Sequence, residues 1–263
     1  MAGLTVRKNA DDLPAEELQA IREAYRNAQQ IMDNRGYNHF AGLHGIPNWW
    51  CWHHDHSQRS NVNAQLFLPW HRAYLLYFER AIRDQRPPNT EVGLPWWDWT
   101  SPRSHVTGVP EAFSNAGDRQ PNPLFSARIV APTANPPIDR MTRRSPRQPR
   151  ELPTPADVTD VLNLTQFDDF SRQLEGIHDF IHGWTGGGLG DMGNVGTAAW
   201  DPIFWSHHCN IDRLWYLWQI RHGESNIPPN LLPMVLPPFS LTVRDVLNIN
   251  ALGYEYAVSL VRI

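Results

Sequence analysis

The sequence predicts a mainly α-helical fold with long irregular loops. Three observations carry this. Four stretches place apolar residues at helical spacing, no stretch shows the period-two alternation of a large sheet, and residues 101–156 are rich in Pro, Ser and Arg with no period at all.

Residues 14–33 form the first expected helix. Pro14 suits a first turn, Glu16 and Glu17 sit at its positive end, and Leu18, Ile21, Ala24, Tyr25 and Ala28 share one face. A short helix over 37–44 follows, then polar, irregular chain over 45–66. Residues 69–84 read as a strongly apolar helix that opens at Pro69 and stops before Pro87-Pro88. The stretch 101–156 is expected to be a long surface wrap, with the Arg cluster of 140–150 as solvated loop rather than an anion site. Two more helices are expected at 167–183 and 203–222, and the tail from 227 is Pro-rich, then weakly strand-like.

The chain has 263 residues and shows no repeat or linker, so one domain over 1–263 is expected. With 41% hydrophobic and 19% charged residues it is not a disordered chain. A net charge of −4 argues against a nucleic-acid binder, and no apolar run approaches the roughly 20 residues that span a bilayer. Two cysteines, Cys51 and Cys209, exclude a disulfide scaffold; Cys209 reads as a small buried residue. The tryptophans at 96, 97, 99, 200, 205, 215 and 218 read as core.

Twelve histidines stand out because they cluster. His178 and His182 are four apart on a predicted helix, one turn above the other, and can share an ion. His207-His208 and Asp212 follow on the next apolar helix, where bare polar groups would be costly. The N-terminal half offers His39, His44, His53, His54 and His56, then His71. Two imidazole-rich sets point to two metal ions and to dioxygen chemistry.

Phe67–Arg72 (FLPWHR) with Ala73-Tyr74-Leu75, and Asp201–Asp212 (DPIFWSHHCNID) with Arg213-Leu214-Trp215, closely resemble the two copper-binding signatures of the tyrosinase family. Pro95-Trp96-Trp97-Asp98-Trp99, His178-x3-His182 before Gly183-Trp184, and Gly253-Tyr254-Glu255-Tyr256 extend the resemblance over about 40–256. It looks like a short bacterial member of that family with only the central catalytic domain.

The resemblance implies a four-helix bundle around a dicopper centre, with three histidines per ion. The first copper would take His44, a histidine of the 53–56 group and His71; the second would take His178, His182 and His208. His53 is favoured as the middle ligand and His54 stands second, because Cys51-Trp52-His53 is similar to relatives in which a cysteine is joined to the histidine by a thioether. His207 reads as a packed neighbour, His39 as a support for a ligand, and His56, His105 and His222 as surface residues. Glu175 and Asp179 are the expected catalytic groups, holding a water that takes the phenol proton or, for Asp179, acting as base. Met192 and Val195 match substrate-pocket positions, and Arg7 is expected to pair with the Tyr254/Tyr256 segment.

The implied activity is oxidation of a small phenol by O₂ with two copper ions as cofactors: ortho-hydroxylation of monophenols and oxidation of o-diphenols to o-quinones. A catechol or o-aminophenol oxidase without the first step, a hemocyanin-like oxygen carrier, and a zinc or copper-storage protein are the rivals. No signal peptide is visible, so the expected location is the cytoplasm, or export with a copper-delivering helper protein as in some short bacterial relatives.

Overall fold

The computed structural model describes residues 3–51, 65–117 and 120–257. Helix α1 (Ala15–Gln30) turns Ala20, Ile21, Ala24, Tyr25 and Ala28 inward, the face that its spacing predicts. Helix α2 (Tyr37–His44) matches expectation. Helix α3 (Phe67–Asp84) begins two residues before the expected start at Pro69. Pro69 is tolerated there because N–H groups of a first turn have no helical partner to lose.

The wrap expected over 101–156 contains more structure than its composition suggested. Two single-turn helices, α4 (Ser104–Thr107) and α5 (Glu111–Ser114), precede an antiparallel hairpin of β2 (Arg128–Ala131) and β3 (Ile138–Met141). Helix α6 (Pro155–Leu162) was not expected, although Thr154 and Asp157 cap it reciprocally: the Asp157 N–H donates to Thr154 Oγ1 (3.3 Å) and the Thr154 N–H to Asp157 Oδ2 (2.7 Å). The Arg cluster is not wholly solvated either. The largely covered side chain of Arg144 pairs with buried Asp201 at 2.5 Å, and Arg140 pairs with buried Asp191 at 2.7 Å.

Helix α7 (Phe167–Gly186) runs three residues past its expected end, and α8 (Ile203–His222) has its expected bounds. Helix α3 packs on α1, α7 and α8, and α7 packs on α8, which makes the bundle. Helix α8 is buried on nearly every face over its first thirteen residues, so its polar side chains must be satisfied inside the protein. The seven tryptophans expected as core are all fully buried. Among them, Trp205 stacks on Phe78 with ring planes 12° apart. None of the described helices is long and apolar enough to cross a membrane.

The chain ends are tied over the back of α8. Strand β1 (Thr5–Arg7) pairs in parallel with β4 (Tyr254–Tyr256). Arg7 donates to Glu79 (2.9 and 3.0 Å), Asp212 (3.1 Å) and the Tyr256 hydroxyl (3.1 Å), and lies 3.6 Å from the Tyr254 ring centre. Asp212 also accepts from Arg72 (2.5 Å), Tyr254 (2.7 Å) and Tyr256 (2.5 Å). Burial opposes charge on Asp212, but Arg72 and Arg7 hold its pKa below the usual carboxylate value. Removing one partner from so buried a network costs about 3–5 kcal/mol. Asp212 stands one turn after His208, so the network fixes the helix that carries that histidine.

Candidate metal centre

Four helices deliver histidines to one place. His44 is the last residue of α2, His71 lies in the second turn of α3, His178 and His182 occupy consecutive turns of α7, and His207 and His208 lie in the second turn of α8. All are buried except His182, which is partly open. Their nitrogens form two overlapping groups, His178–His182–His207–His208 and His44–His71–His208, with ligand atoms within 4.8 Å of one another in each. His208 belongs to both. Its ring stacks on His71 at 4.2 Å and is flanked by Phe204 at 4.1 Å.

The outer nitrogens decide what the inner ones can do. His71 Nδ1 lies 2.8 Å from the Phe67 carbonyl, His182 Nδ1 2.8 Å from the Met192 carbonyl, His44 Nδ1 3.3 Å from the Val195 carbonyl, and His178 Nδ1 2.9 Å from the Asp179 carboxylate. Each of these oxygens accepts only, so each neutral ring donates from Nδ1 and keeps on Nε2 the lone pair that an ion can use. That is how metal-binding imidazoles are oriented.

The inner nitrogens then pose a problem that a cation solves. His178 Nε2 and His182 Nε2 stand 3.2 and 3.3 Å from His208 Nε2. A proton on His208 can serve one of these contacts, not both. Two imidazole nitrogens on one ion, with bonds of about 2.0–2.1 Å at a tetrahedral angle, stand about 3.3–3.4 Å apart. His208 Nδ1 is buried without a hydrogen-bond partner. Burial lowers the pKa of His182 to about 4 and, with the neighbouring histidines, those of His207 and His208 well below 6.5. Neutral rings are what a metal ion requires. The residues present therefore fit a metal pair.

Other expected residues fall on or near this cluster. Glu175 is buried on α7, one turn before His178. Burial, and then the charge of Glu175, pushes the Cys51 thiol well above its ordinary pKa, and Cys51 Sγ lies 3.7 Å from His71 Nε2. The Asp179 side chain is 59% exposed and faces His178 Nδ1. Met192 and Val195, expected as pocket wall, offer their backbone carbonyls to His182 and His44 instead, and the Met192 side chain is buried. His207, set aside as a neighbour, stacks on His178 at 5.2 Å and belongs to the four-histidine group. His39 packs on Phe40 and is in neither group. His105 and His222 are half-buried and meet the carbonyls of Pro153 (3.0 Å) and Leu162 (2.8 Å), so they tie loops rather than float at the surface. His53, His54, His56 and the Cys51–His53 thioether lie on or depend on positions outside the described residues.

Comparison with known proteins decides the family. The common central domain of tyrosinase matches residues 34–221, well over half the chain. The chain belongs to the tyrosinase family. It is 31% identical to tyrosinase from Streptomyces glaucescens over 86% of each chain. It is also 31% identical to unit D of the hemocyanin beta-C chain from Helix pomatia, matching 93% of this chain but spanning only 61% of that protein. Among solved structures, tyrosinase from Burkholderia thailandensis aligns over 99% of this chain and 75% of that one with a TM-score of 0.81 at 22% identity, which speaks to fold. A functional unit of octopus hemocyanin aligns over 96% of this chain and 68% of that one with a TM-score of 0.75 at 28% identity. Tyrosinase-family proteins use a dicopper centre, and the histidine groups fit one.

Proposed function

We propose that this tyrosinase-family chain oxidises small phenols with O₂, hydroxylating monophenols at the ortho position and converting o-diphenols to o-quinones. The observation that carries the reading is the convergence of the His178 and His182 Nε2 atoms on His208, beside His44 and His71, in a chain that matches a tyrosinase over most of both lengths. His178, His182 and His208 would hold one copper; His44, His71 and a histidine of the 53–56 segment would hold the other. When bound, the pair supplies O₂ binding and two-electron oxidation.

The chain's own residues do the rest. The Phe67, Met192 and Val195 carbonyls and the Asp179 carboxylate hold four imidazoles in the ligating tautomer. Phe67 and Phe204 flank the rings, Phe67 at 4.8 Å from His178, and keep stray water from the nitrogens. Glu175, buried one turn from His178, holds the water that takes the phenol proton. Asp179 acts through His178, whose basicity its carboxylate raises.

The hemocyanin relatives support a second reading, an oxygen carrier without turnover. Oxygen uptake by copper-loaded protein separates the two. Uptake with a monophenol and with an o-diphenol is the expected result. Uptake with the diphenol alone would restrict the reaction to a catechol or aminophenol oxidase. Reversible oxygenation without consumption of either would establish the carrier and refute the oxidase.

A further inference from the structure

Behind α8, away from the histidines, lies a second cavity of about 310 Å³ between α6, α8 and residues 98–100. Its α8 wall is Asn210, Arg213, Leu214 and Leu217. At 3.6 residues per turn these fall roughly 140–240° around the helix from His208, on its opposite face. Pro155, Val158, Thr159 and Leu162 line it from one face of α6, at the i, i+3, i+4, i+7 spacing of a helix stripe. The volume is at the lower end of the range of small-molecule sites.

The polar groups in this wall are incomplete. Arg213 is buried, with its guanidinium 4.0 Å from the Trp96 ring centre; among the described residues no hydrogen bond or close ion pair reaches it, and the nearby charge of Asp98 acts on it. Arginine buried in this way ordinarily meets a carboxylate. Asn210 is 2% exposed, and its Oδ1 has no hydrogen-bond partner. Asp98 directs Oδ1 at the Thr100 N–H (3.1 Å) and hydroxyl (2.6 Å), while Oδ2 has no partner among the described residues. One cation, one carboxylate oxygen without a protein partner and an apolar wall thus line the same small space.

We propose that this cavity binds a small zwitterionic amino acid with an apolar side chain. Its carboxylate pairs with Arg213, its ammonium donates to Asp98 Oδ2, and its side chain lies against Val158, Leu162, Leu214 and Leu217. A bare carboxylic acid leaves Asp98 Oδ2 unpaired and meets its charge; a bare amine leaves Arg213 unpaired. The site needs no metal ion and is independent of the oxidase reading.

The test is calorimetric titration of copper-loaded protein with L-phenylalanine, which has no phenol hydroxyl. Saturable binding of one molecule per chain is expected. Removing either charge, as in phenylalaninamide or 3-phenylpropanoate, is expected to weaken it by about tenfold or more. Arg213→Met should do the same. Because Arg213 also stacks on Trp96, Val158→Trp is the second variant: it fills the cavity from a half-exposed edge and should abolish binding while phenol oxidation continues. Binding that vanishes when copper is removed, that survives Val158→Trp, or that is equally tight for the amide and the deaminated acid overturns the proposal, as does the absence of saturable binding.

Discussion

The two histidine groups are built on different supports. In the group on α7 and α8, His178 leans on a carboxylate, Asp179, and His182 on the Met192 carbonyl. In the group on α2 and α3, His44 and His71 lean on carbonyls, Val195 and Phe67. A carboxylate raises the basicity of its imidazole more than a neutral carbonyl does. The two metal positions are therefore unequal, with the more electron-rich ring at His178. They are also joined, because His208 lies in both groups and one segment, 192–195, supplies an orienting carbonyl to each.

The largest test of this joining is His208→Ala. His208 would hold one copper and stacks on His71 of the other group, so its loss should empty its own position and weaken the second, whereas His182→Ala should empty one. Oxidation of o-diphenols should fall by well over about 100-fold in His208→Ala, beyond what loss of a group that only orients a ligand costs. Metal analysis of the two variants checks it, and two coppers per chain in His208→Ala would refute the shared role.

Asp191→Ala comes next. Asp191 is buried, pairs with Arg140 and accepts the Arg143 N–H at 2.8 Å, which holds the segment bearing the Met192 and Val195 carbonyls. Releasing that segment should weaken copper binding at both positions by about 10–100-fold. Chelator competition on the purified protein measures it. A loss confined to one position would show that the two carbonyls are held separately.

These supports also show what the sequence could and could not reveal. Helices α1, α3 and α7 were legible because they carry apolar stripes, α8 because apolar residues recur along a run buried on nearly every face, and the histidine pairs because i, i+4 spacing is a helix-face signal. Helix α6 carried a readable mark in Thr154 and Asp157 that its Pro-rich setting hid. The hairpin β2–β3 was not legible: four residues with only Ile129 and Ala131 buried make too short an alternation. Arg140 and Arg144 find carboxylates 51 and 57 positions away, which no local pattern announces. The contributions of Met192 and Val195 are backbone atoms, and residue type does not show which carbonyl will face a ring.

Acid should expose the cost of burying neutral histidines. Burial lowers His182 from about 6.5 to about 4 in the folded chain, and His207 and His208 also lie well below 6.5. Between those values the unfolded chain binds more protons, so stability of the metal-free protein should fall as pH drops from about 6.5 toward 4, by about 1.4 kcal/mol per pH unit for each proton taken up. Copper-loaded protein should resist until protons displace the metal. Denaturant midpoints of both forms against pH measure the difference; parallel curves would mean that the rings are not protected by metal.

The smallest effect, and the one that addresses the inequality directly, is Asp179→Asn. The amide oxygen still accepts from His178 Nδ1, so ring orientation and copper content should hold, but the carboxylate charge that makes His178 more basic is gone. Proton removal matters for a monophenol, which must lose its hydroxyl proton before its ring is hydroxylated. An o-diphenol needs no hydroxylation. The variant should thus lose about three- to tenfold in monophenol kcat with little change in diphenol kcat, and its monophenol pH profile should move toward higher pH. Asp179→Ala, which removes the acceptor as well, should lower both activities and copper content together. If Asn and Ala behave alike, Asp179 only orients the ring, and the two metal positions differ in geometry rather than in basicity.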